Sequence, residues 1–366
     1  MDKHSFAILH TESSCGWGGQ EIRILTESQG MIRRGYRVVI VCCPDSEILR
    51  QAPRYGVDAV ALPIYKKRWT ALQSMRHWLK RHGREFGVIN THSSTDTWLV
   101  AAACATLTGM PPVVRTRHVS TQVSTSFITR WLYLRACRHI VTTGEKLRQH
   151  LHSHNRYPLS HMTSVPTGID TEQFFPQDKH VARRQLGIPD KRTIGIVATM
   201  RTWKGHKYLL ESWKTLHTEY PDWQILFVGD GPQRKNLVPM AESLNLSESV
   251  IFLGNRDDVP LCLNAMDIFV LPSFGNEGVP QGIMQAMLCE LPVISTTVGA
   301  ITEAVIDNET GFIVEPRNVG QLTDKLRQLI NDDALRLKMS QAALCHAERN
   351  FNINNMLDKM ENILKG

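Results

Sequence analysis

Short runs of apolar, largely β-branched residues alternate along this chain with longer stretches whose apolar side chains recur every three or four positions. The short runs predict strands at Phe6–His10, Arg37–Cys43, Val57–Pro63, Val88–His92, Pro112–Arg117 and His139–Thr143. A second series follows at Thr193–Ala198, Gln224–Val228, Val250–Leu253, Ile268–Leu271, Val293–Thr296 and Gly311–Val314. The stretches between them carry helical spacing, as in Gln20–Arg33, Ala71–Arg81 and Thr95–Thr106. Near-continuous apolar strands separated by helices predict parallel sheets covered on both faces. Two series of about six strands therefore predict an α/β chain of two doubly wound domains.

The turn-bearing segment after VPTGID (Val165–Asp170) is the expected connection. It divides the chain into residues 1–175 and 176–350, followed by an amphipathic tail at 351–366. There is no internal repeat and no low-complexity segment. At 366 residues, 42% hydrophobic and 21% charged, the chain has the composition of an ordinary globular protein with room for two cores. No apolar run is long enough to span a bilayer, and no signal-like segment precedes the first strand. The eight cysteines include no C-x-x-C pair, and several sit in apolar elements where a reduced thiol behaves as a small hydrophobe. The expected compartment is the cytoplasm.

Charge changes the picture. The net +7 is divided into +10 over residues 1–175 and −3 over the remainder. A basic first half favours an anionic partner: a phosphorylated acceptor, an anionic membrane surface or a nucleic acid. Tyr65–Gly87 concentrates that charge around an apolar stripe of Trp69, Leu72, Met75 and Leu79. The stretch admits two readings, peripheral contact with an anionic membrane surface or packing of the stripe onto its own sheet.

Candidate chemistry gathers where predicted strands end. In the first half, HTESSCGWGGQE places Gly16, Gly18 and Gly19 between a strand and a helix, where bare backbone can approach a phosphate. The spacing is not G-x-G-x-x-G, so the dinucleotide fingerprint is absent. VVRTRHVS ends a strand with Arg115, Arg117 and His118, at the edge where open α/β sheets bind ligands. In the second half, Arg201 and Lys204 follow the first strand and precede a helix starting near His206. Cations at a helix N-terminus oppose its dipole, so an anion between them and the helix is the natural explanation. Two further strand–turn–helix passages follow, VGDGPQRKNL with Gly229 and FLGNRDDVP with Asn255 and Arg256. Asp258 there is expected to cap the helix from Val259. Finally, SFGNEGVPQGIMQAMLCE places Glu277 ahead of a helix opening near Pro280, with Gln285 two turns in. Such an opening is a seat for a diphosphate.

Taken in order, these elements resemble the retaining glycosyltransferases of family 4, the group 1 type with the GT-B fold. The resemblance rests on the turn around Gly18 and Gly19, the R-x-x-K-G element at Arg201 and Lys204, and the E-x7-E signature beginning at Glu277. It extends from Phe6 to the C-terminal helix. It implies two Rossmann-like domains facing a central cleft, with the tail helix returning to the first. It further implies that Arg201 and Lys204 neutralise a departing nucleoside diphosphate at the helix opening of Gly278, Val279 and Pro280. Glu277 would accept hydrogen bonds from donor-sugar hydroxyls, and His118 would orient the donor near its anomeric carbon or 6-hydroxyl. Gly229, Asn255 and Arg256 would border the nucleotide. The second Glu of the signature is Gln285 here, which still offers an acceptor to ribose hydroxyls but no charge.

The reading is transfer of a sugar from a UDP- or GDP-sugar to a glycan or lipid-linked hydroxyl acceptor, with no metal or other cofactor. The setting is bacterial lipopolysaccharide or polysaccharide assembly at the cytoplasmic face of a membrane. A GT-B sugar-nucleotide epimerase would use the same cleft but needs acid–base groups with no evident place here. A basic nucleic-acid-binding or membrane-binding scaffold would leave Arg201, Lys204 and Glu277 without purpose, and no helix-turn-helix, RRM or zinc pattern is present.

Overall fold

The structure, a computed structural model, describes residues 6–118, 121–275 and 277–366. The chain forms two compact units, Met1–Gly168 together with Asn354–Gly366, and Ile169–Ile353. The change occurs within VPTGID. Val165 N–H donates to Thr142 O at 2.8 Å in the first unit, whereas Ile169 N–H donates to Phe351 O at 2.7 Å in the second.

The first unit holds seven strands: β1 (Ala7–Glu12), β2 (Arg37–Cys42), β3 (Asp58–Ala61), β4 (Val88–Thr91), β5 (Val113–Arg117), β6 (Cys137–Thr142) and β7 (Met162–Ser164). They pair in the order β3-β2-β1-β4-β5-β6-β7, and every pairing is parallel. The direction of winding reverses between β1 and β4. Successive residues of β2 alternate between two apolar clusters. Val39 and Val41 pack with Met75, Leu79 and Leu99, while Ile40 and Cys42 pack with Ile24, Leu25 and Ile48. Both faces of the sheet are thereby buried, which is why β2 reads as a near-continuous apolar run. Strand β7, three residues long, has no sequence signature of its own.

The helix Trp69–His82 packs only part of its stripe onto the sheet. Ala71, Met75 and Leu79 are buried in the core, whereas Trp69 at its start is 70% exposed. The last helix, Ile353–Lys365, belongs to this unit from Asn354 onward. It buries Met356, Leu357, Met360 and Leu364. Leu357 lies so close to Gly30 that a Cβ there would meet its methyl at 2.4 Å. Glu361 accepts from Tyr36 Oη at 2.5 Å and from Arg34 Nη1 at 3.1 Å, fixing the helix register.

The second unit holds β8 (Arg192–Val197), β9 (Trp223–Val228), β10 (Val250–Gly254), β11 (Ile268–Leu271), β12 (Val293–Thr296) and β13 (Gly311–Val314). Their order is β10-β9-β8-β11-β12-β13, again all parallel. The winding reverses between β8 and β11, and loops leaving those two strands flank the crevice that a doubly wound sheet offers to ligands. Among the described residues no helix is long and apolar enough to cross a membrane.

Candidate functional site

In the second unit the two loops at the reversal are locked together. After β8 the chain makes a single 3-10 turn, Thr202–Lys204, and then Gly205 at φ +78° before the helix His206–Leu216. A Cβ on Gly205 would stand 2.0 Å from Pro272 O, so only glycine lets the β8 loop touch the β11 loop here. Phe274 N–H donates to Trp203 O at 2.8 Å and closes the same contact. The consequence is an ion pair. Lys204 Nζ lies 2.8 Å from Glu277 Oε1, whose side chain is almost wholly buried. Ser273 Oγ donates to that same oxygen at 2.6 Å. Ser273 is itself held by Thr296 Oγ1, which donates to its carbonyl at 2.6 Å.

Arg201 stands exposed at the mouth of this arrangement, its guanidinium 5.2 Å from the centre of the Trp203 ring. The helix beyond Glu277 runs Gln281–Leu288, with Pro280 as the extended residue before it rather than inside its first turn. Val279 and Pro280 are buried, Gly278 is half-buried, and Gln285 lies on the half-buried side of the helix. One loop thus supplies two cations while the other supplies a buried carboxylate and a helix opening.

Gly229 follows β9 at φ +127°, where a Cβ would strike Ala198 O at 2.2 Å. Its glycine is demanded by close packing of the β8 and β9 loops, whatever else it meets. Asn255 and Arg256 are exposed beyond β10. Asp258 occupies the N-cap position of the helix Val259–Asn264 but makes no side-chain capping bond, contrary to expectation. Its carboxylate instead takes Arg256 in a fork, with Nε donating to Oδ1 at 2.8 Å and Nη2 to Oδ2 at 2.5 Å. A bidentate guanidinium pair outcompetes a single backbone N–H for the same carboxylate.

The first unit has its own strand-end cluster. Gly18 precedes the helix Gly19–Arg33 with φ −179°, an extended conformation open to any residue. A Cβ there would meet only Glu21 Oε2 at 3.8 Å. Backbone geometry therefore does not require a glycine at this position. Glu12, at the end of β1, accepts from Ser14 N at 2.7 Å and from Gln20 Nε2. Burial, reinforced by the Asp96 carboxylate, raises its carboxyl to about 8.

Arg115 and Arg117 are not ligand groups. Both are buried, Arg115 donating to Ser93 O and Thr97 Oγ1, and Arg117 to Thr121 O and to Tyr133 Oη. His118 is half-buried beyond β5, and it is not alone. His118 Nε2 lies 2.9 Å from His92 Nδ1, and His92 Nε2 lies 2.8 Å from His10 Nδ1. Burial pulls all three imidazoles toward the neutral form, His10 to about 3 and the other two well below the ordinary value.

The family model described as "Glycosyltransferase Family 4" matches residues 17–173, and that described as "Glycosyl transferases group 1" matches residues 178–344. The chain belongs to the family 4 glycosyltransferases of the group 1 type. An uncharacterized glycosyltransferase of Haemophilus influenzae is 31% identical over 50% of this chain. The chain spans about half of that relative's length, 51%. A UDP-Gal:alpha-D-GlcNAc-diphosphoundecaprenol alpha-1,3-galactosyltransferase of Escherichia coli is 28% identical, over 80% of this chain and 78% of that one. The crystal structure of Anabaena HepE in complex with UDP superposes with a TM-score of 0.86 at 19% identity, covering 98% of this chain and 99% of HepE. Likeness at that identity establishes the fold, GT-B with two Rossmann-like sheets.

Several residues of this family 4 glycosyltransferase escaped the sequence reading. Ser273 and Gly299 both serve Glu277, the latter because a Cβ at its φ of +59° would stand 2.0 Å from Glu277 O. Neither carries a signature in the sequence. Arg234 was also missed. It opens the helix Arg234–Ser243, and its buried Nη1 has no hydrogen-bond partner among the described residues. His10 and His92 carried a usable signal, since each closes a predicted strand as His118 does.

Proposed function

We propose that this chain transfers a glycosyl group from a nucleoside-diphosphate sugar to a hydroxyl acceptor, with retention at the anomeric carbon. The observation that carries the proposal is the Lys204–Glu277–Ser273 arrangement at the winding reversal of the second unit. A diphosphate at the opening of Gln281–Leu288 meets Arg201 and Lys204 as the leaving group gains charge, which is electrostatic stabilisation by preorganised groups. These groups would offset that charge themselves, so the reading calls for no metal. Glu277, buried and already oriented by Lys204 and Ser273, accepts from hydroxyls of the sugar. Gly18 and Gly19 give backbone access on the first unit, Gly229, Asn255 and Arg256 border the nucleotide, and Gln285 accepts from the ribose.

With retention and no evident protein nucleophile, the bond from the anomeric carbon to the diphosphate breaks through an oxocarbenium-like state. The acceptor oxygen bonds on the same face, and its proton passes to the departing phosphate oxygen. His118 orients the donor as a hydrogen-bonding group. The substrates that the Escherichia coli relative is named for, and UDP in HepE, favour a UDP-sugar donor and a lipid-linked glycan acceptor. Envelope polysaccharide assembly is the setting that fits such an acceptor, and the basic first unit suits a peripheral approach to an anionic surface, with the exposed Trp69 as its apolar contact.

Thermal denaturation against UDP-, GDP-, ADP- and dTDP-sugars tests the donor, because a ligand that binds only the folded state raises its stability. One nucleotide class should stabilise the protein, and Arg201→Ala should abolish the effect. Absence of any shift in the folded protein would overturn the proposal. NMR of the product's anomeric configuration then decides retention.

A further inference from the structure

We infer that His10 and His92 form a buried relay that fixes the tautomer of His118, so that His118 presents its Nδ1–H to an uncharged oxygen of the ligand. The inference deepens the proposed donor site and rests on that reading only for the identity of the oxygen. The three rings come from β1 and from the ends of β4 and β5, adjacent strands in the sheet. Their centroids are 5.1 and 5.2 Å apart, with both pairs tilted by 31°. The contacts at 2.8 and 2.9 Å are nitrogen-to-nitrogen hydrogen bonds, so each must hold one proton between two nitrogens.

Three neutral rings carry three ring protons, and two of these occupy the shared bonds. The third sits at one end of the row, on His10 Nε2 or on His118 Nδ1. His10 Nε2 is buried with no hydrogen-bond partner among the described residues. A buried N–H without an acceptor is rarer and less tolerable than an unused lone pair. The proton therefore lies at the other end. His10 Nδ1–H donates to His92, His92 Nδ1–H donates to His118 Nε2, and His118 Nδ1–H points out of the row. An imidazole left to itself in water prefers the Nε2–H form, so the row imposes the less common one.

Neutrality is supported from the surroundings. Arg23 and Arg115 both oppose a charge on His92 and His118. The buried Asp96 carboxylate is occupied by the backbone N–H of His92 and by the Thr11 hydroxyl. A neutral donor suits a sugar hydroxyl or ring oxygen and adds nothing to phosphate binding. His118 thereby favours an uncharged ligand oxygen over a phosphate. His92 and His10 are positioning residues.

Long-range 1H–15N correlation on the full chain labelled with 15N-histidine reads both ring nitrogens directly. At pH 7.5 the expected spectrum shows His118 with Nδ1 protonated and Nε2 bare, and His10 likewise. Protonation of His118 at Nε2 in the wild-type protein would overturn the inference without any variant being needed. In His92→Phe, which keeps a ring but no nitrogen, His118 should revert to the Nε2–H form. An unchanged His118 tautomer in that variant would also overturn it. For the donor, His92→Phe should lower kcat/KM for the nucleotide sugar by a factor of about 2 to 10, the loss of one neutral hydrogen bond. Affinity for the nucleoside diphosphate alone should be unchanged, and an equal loss in both would count against the assignment. Failure of the wild-type protein to bind any nucleotide sugar would instead remove the proposed function and leave the tautomer result standing.

Discussion

Lys204 Nζ sits 2.8 Å from Glu277 Oε1, across 73 residues of sequence. The resemblance assigns these two groups to different parts of a donor, one to the diphosphate and the other to the sugar. In the fold they hold each other, so under the proposed function the cation assigned to the phosphate also orients the carboxylate assigned to the sugar. Lys204→Ala should weaken nucleoside-diphosphate binding by roughly 10- to 150-fold, the worth of a hydrogen bond to a charged group. It should also lower stability by leaving Glu277 buried without its cation. Titration calorimetry checks the first effect and denaturant unfolding the second. Adding Glu277→Gln to Lys204→Ala should restore part of the stability and none of the binding, and strict additivity of the two changes would refute the coupling.

Gly299 tests the backbone beneath that carboxylate. Its φ of +59° and the 2.0 Å approach of a Cβ to Glu277 O leave no room for alanine. Gly299→Ala should destabilise the protein by about 1–3 kcal/mol and reduce donor binding together with stability. A variant with wild-type melting and binding would show that this contact does not position Glu277.

Gln285 departs from the family signature, and the change can be reversed. Gln285→Glu restores a charged acceptor for ribose hydroxyls, and charge-assisted bonds are roughly twice as strong as neutral ones. Donor affinity should rise several-fold, with UDP alone gaining as much as the UDP-sugar. Weaker binding in the variant would mean that position 285 does not face the ribose.

Arg23 and Glu27 form a buried pair at 3.6 Å within the first unit. Arg23 also donates to Val165 O at 2.7 Å, tying the first helix to the chain beyond β7. Burial lowers the Arg23 value and raises that of Glu27, each partly offset by the other. Arg23→Leu should destabilise the protein by about 3–5 kcal/mol through the stranded carboxylate. The double change Arg23→Leu with Glu27→Leu should recover much of that loss in denaturant unfolding.

Two buried groups in the first unit impose opposite pH dependences. His10 titrates at about 3 instead of 6.5, so between those values the unfolded chain binds a proton that the fold refuses. Its contribution to stability is whole above pH 6.5 and declines as pH falls toward 3. Glu12 holds its proton up to about 8 instead of 4.5, so its contribution is whole below pH 4.5 and is lost as pH rises to 8. Glu12→Gln should therefore gain in melting temperature over the wild type as pH is raised from 5 to 9. A difference that stays constant across that range would refute the assignment.

Much of this was legible in the chain. Twelve of the described strands follow apolar runs, because a strand buried on both faces is predominantly apolar. The cations at Arg201 and Lys204 and the carboxylate at Glu277 stood out for being placed at strand ends beside glycine and proline turns. Strand β7 was not legible, since three residues are too few to show a period.

What sequence alone determined were the identity of the elements and the residues at their ends. Only the tertiary structure decided which ends meet. His10 lies within β1, and His92 and His118 directly follow β4 and β5; they form a row because those three strands lie side by side, in an order that no local pattern encodes. In the same way, Arg115 and Arg117 sit at the strand end beside His118 but are buried, and Arg115 is held by Ser93 and Thr97 from the preceding strand–helix passage and Arg117 by Tyr133. Local spacing is carried by covalent geometry and hydrophobic period. Proximity across the sheet is carried by strand order, and that is set by how the whole core packs.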